Sequence, residues 1–482
     1  MLKTTRRGFM IGCSSAIAAM AGARLNFAAF GSADQEPNQN IFVYIFLRGG
    51  MDVLNFLTPM GGEDRGHYEA ARPDLALPVS GNNSLLQLGN NPFGLHPSAA
   101  PLVELYNSNA MTFVMGTGLE VGTRSHFDAM AHIELGTNDS TSSSSGWITR
   151  HLQTSGIQSS SFMESLATGN LRPDSLRGKL DVVGMNNPND LQMNQGHWKW
   201  REAQRTAMRN FYANSGSALH ESGVNALNAA DIIEASAIGG YDRSGYPSGS
   251  FGSNLASIAQ MIKLQLGLRV ATVDLGGWDT HERQVNGSGE NAAEGFYADR
   301  VRNLSEGLHA FYSDLWRGGD YAKRVSVVIM SEFGRRVQEN ANRGTDHGHG
   351  SLMMVMGGGV NGGQLYGQFP GLHLDQLYDN RDLDVTTDYR NVLSELLIER
   401  MGNNSIDQIF PGFTNYQPMG LFGSETGQLP TPTPGPDATD APANTPAPGE
   451  TPDPNGTPTP LPTVPASLNQ KTYFPLVNND QE

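Results

Sequence analysis

Residues 344–350 read GTDHGHG and hold Asp346, His347 and His349 within four positions, spaced by glycines. Carboxylate oxygens and imidazole nitrogens at this spacing are metal-ligand chemistry, and the glycines let the backbone turn close to an ion. Four other short stretches carry the same residue types: RGGMD, ending in Asp52; RSHFD, with Ser125, His126 and Asp128; GWDTH, with Asp279 and His281; and SEFGRR, with Glu332 and Arg335. A set made of Asp, Glu and His suits zinc, manganese or a similar divalent ion, one or two per chain. Two such ions can polarise a phosphoryl or sulfuryl oxygen and activate a hydroxyl or water. The metal candidates are Asp52, Asp279, His281, Glu332, His347 and His349, and the catalytic candidates are Ser125, His126 and Arg335.

Each stretch also has a local reading. Asp52 behind two glycines suits a helix cap, and Ser125 opens an S-x-x-D pattern that suits an N-cap whether or not the hydroxyl reacts. A helix start there would favour negative charge developing on that hydroxyl. Glu332 can pair with Arg335 or Arg336, and His347 and His349 can form a plain polar turn. Asp279 and His281, at i and i+2, point to one side of an extended segment. What joins the stretches is their address. Four of them follow a predicted strand, GTDHGHG immediately precedes one, and ligands of open α/β sheets bind beyond the carboxyl ends of the strands.

The elements that must position these residues are legible as apolar runs. Residues 41–47 (IFVYIFL), 111–116, 268–276, 324–330 and 351–357 read as strands. Between them, residues 101–108, 126–135, 254–266, 296–316 and 388–402 read as amphipathic helices. Continuous apolar strands alternating with such helices predict a doubly wound, mostly parallel α/β sheet covered on both faces, spanning residues 40–423. Residues 137–252 break the rhythm with Ser- and Asn-rich loops and two helices, and read as an insertion over one edge of the sheet that shapes a substrate entrance.

The two ends differ from this core. Arg6 and Arg7 precede a weakly apolar, Gly/Ser/Ala-rich stretch, so residues 1–33 read as a twin-arginine (Tat) signal recognised by the Tat translocase. The stretch is too short and too rich in small residues for a spanning helix. The expected mature protein therefore has no transmembrane segment and is periplasmic, cell-surface or extracellular. Cys13, the single cysteine, lies in that segment, which leaves no disulfide or thiol chemistry for the rest. Residues 424–467 form a Pro/Thr-rich linker; 13 of the 27 prolines fall in 430–465, a composition that cannot bury a core. Residues 468–482 end in an apolar tag. The net charge of -16 argues against a nucleic-acid partner.

The stretches TRRGFM, FLRGGMDVLN, RSHFDAM, GGWDTH, MSEFGRRV and GTDHGHGSLMMVMGGGVNGGQLYG resemble, in order and over residues 1 to about 422, the Tat-exported bacterial family known as domain of unknown function 1501. That family is similar to the alkaline phosphatase and sulfatase superfamily. The resemblance implies an alkaline-phosphatase-like fold and a two-metal hydrolytic site. It makes Asp52 the acid after the first strand, Ser125 the residue at the nucleophile position, and Asp279, His281 and His347 ligands of one metal. His349 is either a second ligand or a partner of one. Glu332 and Phe333 stand where the superfamily carries an Asp-His pair, so one of the two metal positions is expected to be altered. The implied function is hydrolysis of a small-molecule or glycan phosphate or sulfate ester. The alternative is a non-catalytic envelope or carbohydrate-binding protein that retains the fold, with or without one metal.

Overall fold

Every residue from Ile41 to Leu47 is buried, and the run alternates between two apolar clusters: Ile41, Val43, Ile45 and Leu47 enter one, Phe42, Tyr44 and Phe46 the other. A strand apolar on both faces must be covered on both, and each such side chain contributes roughly 1.5–3 kcal/mol on full burial. A computed structural model of the chain describes residues 40–423, apart from 140–142, 158–162, 180, 189–197, 213–217, 238–240 and 318–320. The expected Tat signal, the linker and the C-terminal tag lie outside the described residues.

The described strands are, in chain order, β1 (Ile41–Arg48), β2 (Leu57–Pro59), β3 (Leu86–Gln87), β4 (Phe93–Leu95), β5 (Met111–Gly118), β6 (Ser165–Thr168), β7 (Val183–Gly184), β8 (Val270–Gly276), β9 (Val325–Ser331), β10 (Ser351–Gly357), β11 (Leu365–Tyr366) and β12 (Thr387–Asp388). The longer helices are α1 (Gly62–Ala71), α2 (Ala100–Asn107), α3 (His126–Leu135), α4 (Trp147–Thr154), α5 (Arg201–Tyr212), α6 (Ala218–Ala237), α7 (Ser250–Lys263), α8 (Phe296–Arg317) and α9 (Tyr389–Glu395). Nine strands form one sheet in the order β11-β5-β10-β9-β1-β8-β6-β7, with β12 also on β5; β2, β4 and β3 make a small separate sheet. One face is covered by apolar side chains of α2, α7 and α8, the other by those of α3, α4 and α9. The chain is thus α/β, with a mixed, largely parallel central sheet. Among the described residues no helix is long and apolar enough to cross a membrane.

Two features depart from a simple alternation. First, β10 runs antiparallel to both of its neighbours, β9 and β5, while every other pairing in the large sheet is parallel. The reason is local: among the described elements no crossover helix separates β9 from β10, so the chain leaves and re-enters the sheet at the same edge. The start of β10 therefore lies where the other strands end, which brings residues 344–350 to the carboxyl edge. Second, part of the interval 137–252 extends the sheet itself: β6 within it pairs onto β8, and β7 pairs onto β6 as the edge strand. At four and two residues they are too short to stand out as apolar runs.

Candidate metal centre

β1 ends at Arg48, and Gly49 (φ +122) and Gly50 (φ +68) turn the chain in the left-handed region that side chains disfavour. A Cβ at Gly50 would sit 2.5 Å from the Phe333 ring, so the loop after β1 lies directly against the loop after β9. Residues 344–350 join that layer. Gly348 donates its amide to the Gly334 carbonyl at 2.9 Å, Gly334 to the His349 carbonyl at 3.1 Å, and Thr345 to the Thr280 carbonyl at 3.0 Å. The glycines serve close approach here: a Cβ at Gly344 would meet the His281 carbonyl carbon at 2.3 Å, and one at Gly348 the Arg335 carbonyl carbon at 2.4 Å. Hydrogen-bonded backbone thus seats three separate stretches of sequence side by side.

Their side chains converge. His281 Nε2 and His347 Nε2 are 2.9 Å apart, and each lies 3.1 Å from Asp279 Oδ1. His126, the first residue of α3, points its Nε2 at Asp279 Oδ2 from 3.5 Å. His126, Asp279 and His347 each offer a ligand atom within 4.8 Å of the others, with His281 a fourth donor beside Asp279 and His347. The three imidazoles touch: ring centroids are 4.2 Å apart for His126 and His347 and 4.6 Å for His281 and His347, and Phe333 lies against His126 at 4.8 Å. Asp279 and His281 are half-exposed, so the cluster opens to solvent on one side.

Each imidazole is held from behind. His126 Nδ1 lies 2.7 Å from Glu332 Oε1, His347 Nδ1 2.8 Å from the Arg124 carbonyl oxygen, and His281 Nδ1 3.3 Å from Asp346 Oδ1. Those acceptors assign the proton to Nδ1 in the neutral ring and leave the Nε2 lone pair facing the cluster. A carboxylate behind an imidazole raises its basicity toward protons and metal ions alike; accordingly the hydrogen bond to Glu332 holds His126 above the ordinary histidine range. Burial pulls His347 below it. Burial alone would raise the Asp279 carboxyl, but the hydrogen bond and charge of Arg335, with help from His281 and His347, hold it low.

The remaining candidates are engaged elsewhere. Asp52 is buried, with Oδ1 and Oδ2 accepting from Arg72 at 2.9 and 2.7 Å and Oδ2 also from Gln284 at 2.5 Å. Both of its oxygens are thereby used within the core. Glu332 stands behind His126, its second oxygen accepting from the Ser331 hydroxyl at 3.0 Å. Arg335 is buried and donates to the carbonyls of Gly50, Thr345, Gly49 and Trp278 as well as to Asp279, leaving it a brace for the loops. His349 is buried against the Tyr378 ring, centroids 4.1 Å apart, and its burial lowers it to about 4. Ser125 is the N-cap of α3 and accepts from the Asp128 amide at 3.4 Å.

Sequence reading did not find Arg72, Gln284 or the carbonyl of Arg124. Arg124 directly precedes Ser125, yet a backbone carbonyl leaves no mark in the residue type, and Arg72 and Gln284 are 20 and 232 positions from the carboxylate they hold. Asp346 supports the imidazole of His281.

No curated protein matches the chain. Residues 40–402, most of the chain, match the family model described as protein of unknown function (DUF1501), and the chain belongs to that family.

Proposed function

We propose that the protein is a metal-dependent hydrolase of phosphate or sulfate esters, with one divalent ion held by Nε2 of His126, His281 and His347 and by the Asp279 carboxylate. The observation that carries this reading is the convergence of donor atoms: Nε2 of three imidazoles and a carboxylate face one another while every Nδ1 has an acceptor behind it. A single proton can bridge only two of these groups. A divalent ion at ~2.0–2.2 Å from each donor would satisfy them together. When bound, it would supply Lewis-acid polarisation of an ester oxygen. Ser125 is the proposed nucleophile, set beside His126 at the start of α3 where the helix dipole favours developing negative charge. Arg335 orients Asp279, and Glu332 and Asp346 orient their imidazoles.

The largely parallel sheet with donors gathered at its carboxyl edge is in keeping with the alkaline-phosphatase-like arrangement implied by the resemblance. Asp52 and Glu332 are fully used by protein donors, which favours one ion over two. Export through the Tat route to the periplasm, cell surface or medium belongs to the same reading, and replacing Arg6 and Arg7 by Lys should strand the precursor inside the cell. The saturation of Arg335 favours a second reading, a non-catalytic envelope or carbohydrate-binding protein with one structural ion.

Elemental analysis together with an assay on p-nitrophenyl phosphate and p-nitrophenyl sulfate separates the two. One tightly held ion with turnover supports the hydrolase, and an ion without turnover supports the second reading. No ion after equilibration with zinc and manganese overturns the hydrolase reading and leaves a non-catalytic protein without a metal.

A further inference from the structure

The flank of α3 leads away from the metal cluster into a cavity of about 240 Å³ lined by Arg48, Phe127, Met130, Glu134, Asn170 and Arg172, among others. Arg48, the last residue of β1, donates to Glu134 at 3.1 Å and also to Asp274, and lies 3.0 Å from the Met130 sulfur. The Glu134 side chain is only 6% exposed, and burial pushes its carboxyl up to about 7, where it can donate as well as accept. Phe127 at the rim is 84% exposed. The Arg172 guanidinium makes no hydrogen bond among the described residues. None of these groups has a part in holding an ion at His126, Asp279, His281 and His347.

The chemistry of this wall narrows the ligand. Arg48 is already matched by two carboxyl groups, so an anion would face Glu134 and Asp274 with only Arg172 to receive it. A cation would meet two guanidinium groups, and the carboxylates of the wall are already paired, Glu134 with Arg48 and Asp174 with Arg177. An apolar molecule would strip water from charged and amide groups without replacing their hydrogen bonds. A neutral, hydroxyl-rich ring meets none of these penalties. Adjacent hydroxyls can accept from Arg172 and Asn170 and donate to Glu134, while the ring's C–H face lies on the open face of Phe127. The volume is below the ~300–1,000 Å³ of drug-sized pockets and suits one small polar unit.

We propose that this cavity binds a neutral sugar unit, with Phe127 as its stacking platform and Glu134, Asn170 and Arg172 as its hydroxyl partners. Phe127 directly follows His126, and Glu134 lies eight residues beyond it, about 12 Å along the helix axis at ~1.5 Å per residue. A glycan laid along α3 would reach from the cavity to the metal cluster, so the esters cleaved would be carried on glycans. That use of the cavity rests on the hydrolase reading; sugar binding itself does not.

Saturation-transfer NMR on the full chain tests it, with D-glucose, D-galactose, D-mannose and N-acetyl-D-glucosamine as probes at millimolar concentration. At least one should show transfer, and Phe127→Ala and Arg172→Ala, both at exposed positions, should each weaken it about tenfold while circular dichroism stays unchanged. Transfer from none of the four sugars, or transfer unaffected by both substitutions, would overturn the proposal. Metal content measured on the same samples keeps the two readings apart. Sugar binding by a chain that takes up no ion would refute the hydrolase reading alone, and an ion without sugar binding would refute this one.

Discussion

Glu332 Oε1 lies 2.7 Å from His126 Nδ1 and accepts the Gly49 amide at 2.8 Å. One buried carboxylate oxygen therefore ties the loop after β1 to the imidazole that opens α3. Glu332→Gln keeps the size of the side chain and removes its charge. Zinc affinity should fall about 10–100-fold, the usual effect of losing such a supporting group. Competition with a chromogenic chelator measures this, and an unchanged affinity would remove His126 from the ligand set.

His347 is the most central of the four donors, touching both His126 and His281. His347→Ala should reduce bound metal to less than half an equivalent while the thermal midpoint of the metal-free protein barely moves. Full stoichiometry in this variant would contradict the proposed site.

Asp52 provides the contrast. Asp52→Ala would leave the fully buried Arg72 guanidinium without its carboxylate, a loss of about 3–5 kcal/mol. Its thermal midpoint should drop sharply, while the protein that remains folded should bind as much metal as the wild type. A fall in metal content per folded chain would return Asp52 to the ligands.

Acid should destabilise the fold through two histidines remote from the metal cluster. Burial, assisted by the charge of Arg302 for His96 and of Arg269 for His151, lowers both to about 3. The folded state keeps them neutral, whereas the unfolded chain takes up a proton on each below its ordinary value near 6.5. The unfolded state then binds more protons, so stability is full above about pH 6.5 and is lost as pH falls toward 3, by up to about 1.4 kcal/mol per pH unit for each histidine. Urea midpoints between pH 7 and 4.5 should show this slope, and His151→Gln should make it shallower. A slope unaltered by that substitution would mean that His151 is protonated in the folded protein.

The core strands and the helices that cover them were legible because their periodicity is local. Residues 41–47 can only be a doubly buried strand, and the S-x-x-D pattern at Ser125 marks the start of α3 at His126. The carboxyl-edge address of Asp279, His281 and His347 followed from the same alternation. The short β6 and β7 escaped it, since four and two residues carry too little pattern to compete with the loops around them.

Sequence by itself determined which residue types reach the edge of the sheet; only the tertiary structure decided what each does there. Asp52 and Asp279 both follow apolar strands and are indistinguishable as residues. Arg72 claims both oxygens of the first, whereas the second meets Arg335 and three imidazoles at a half-exposed edge. His347 and His349, two positions apart, part in the same way, one toward Asp279 and the other onto Tyr378. The physical reason is that a carboxylate or imidazole takes its role from the donors and acceptors within about 3 Å, and here those come from loops as many as 283 residues away.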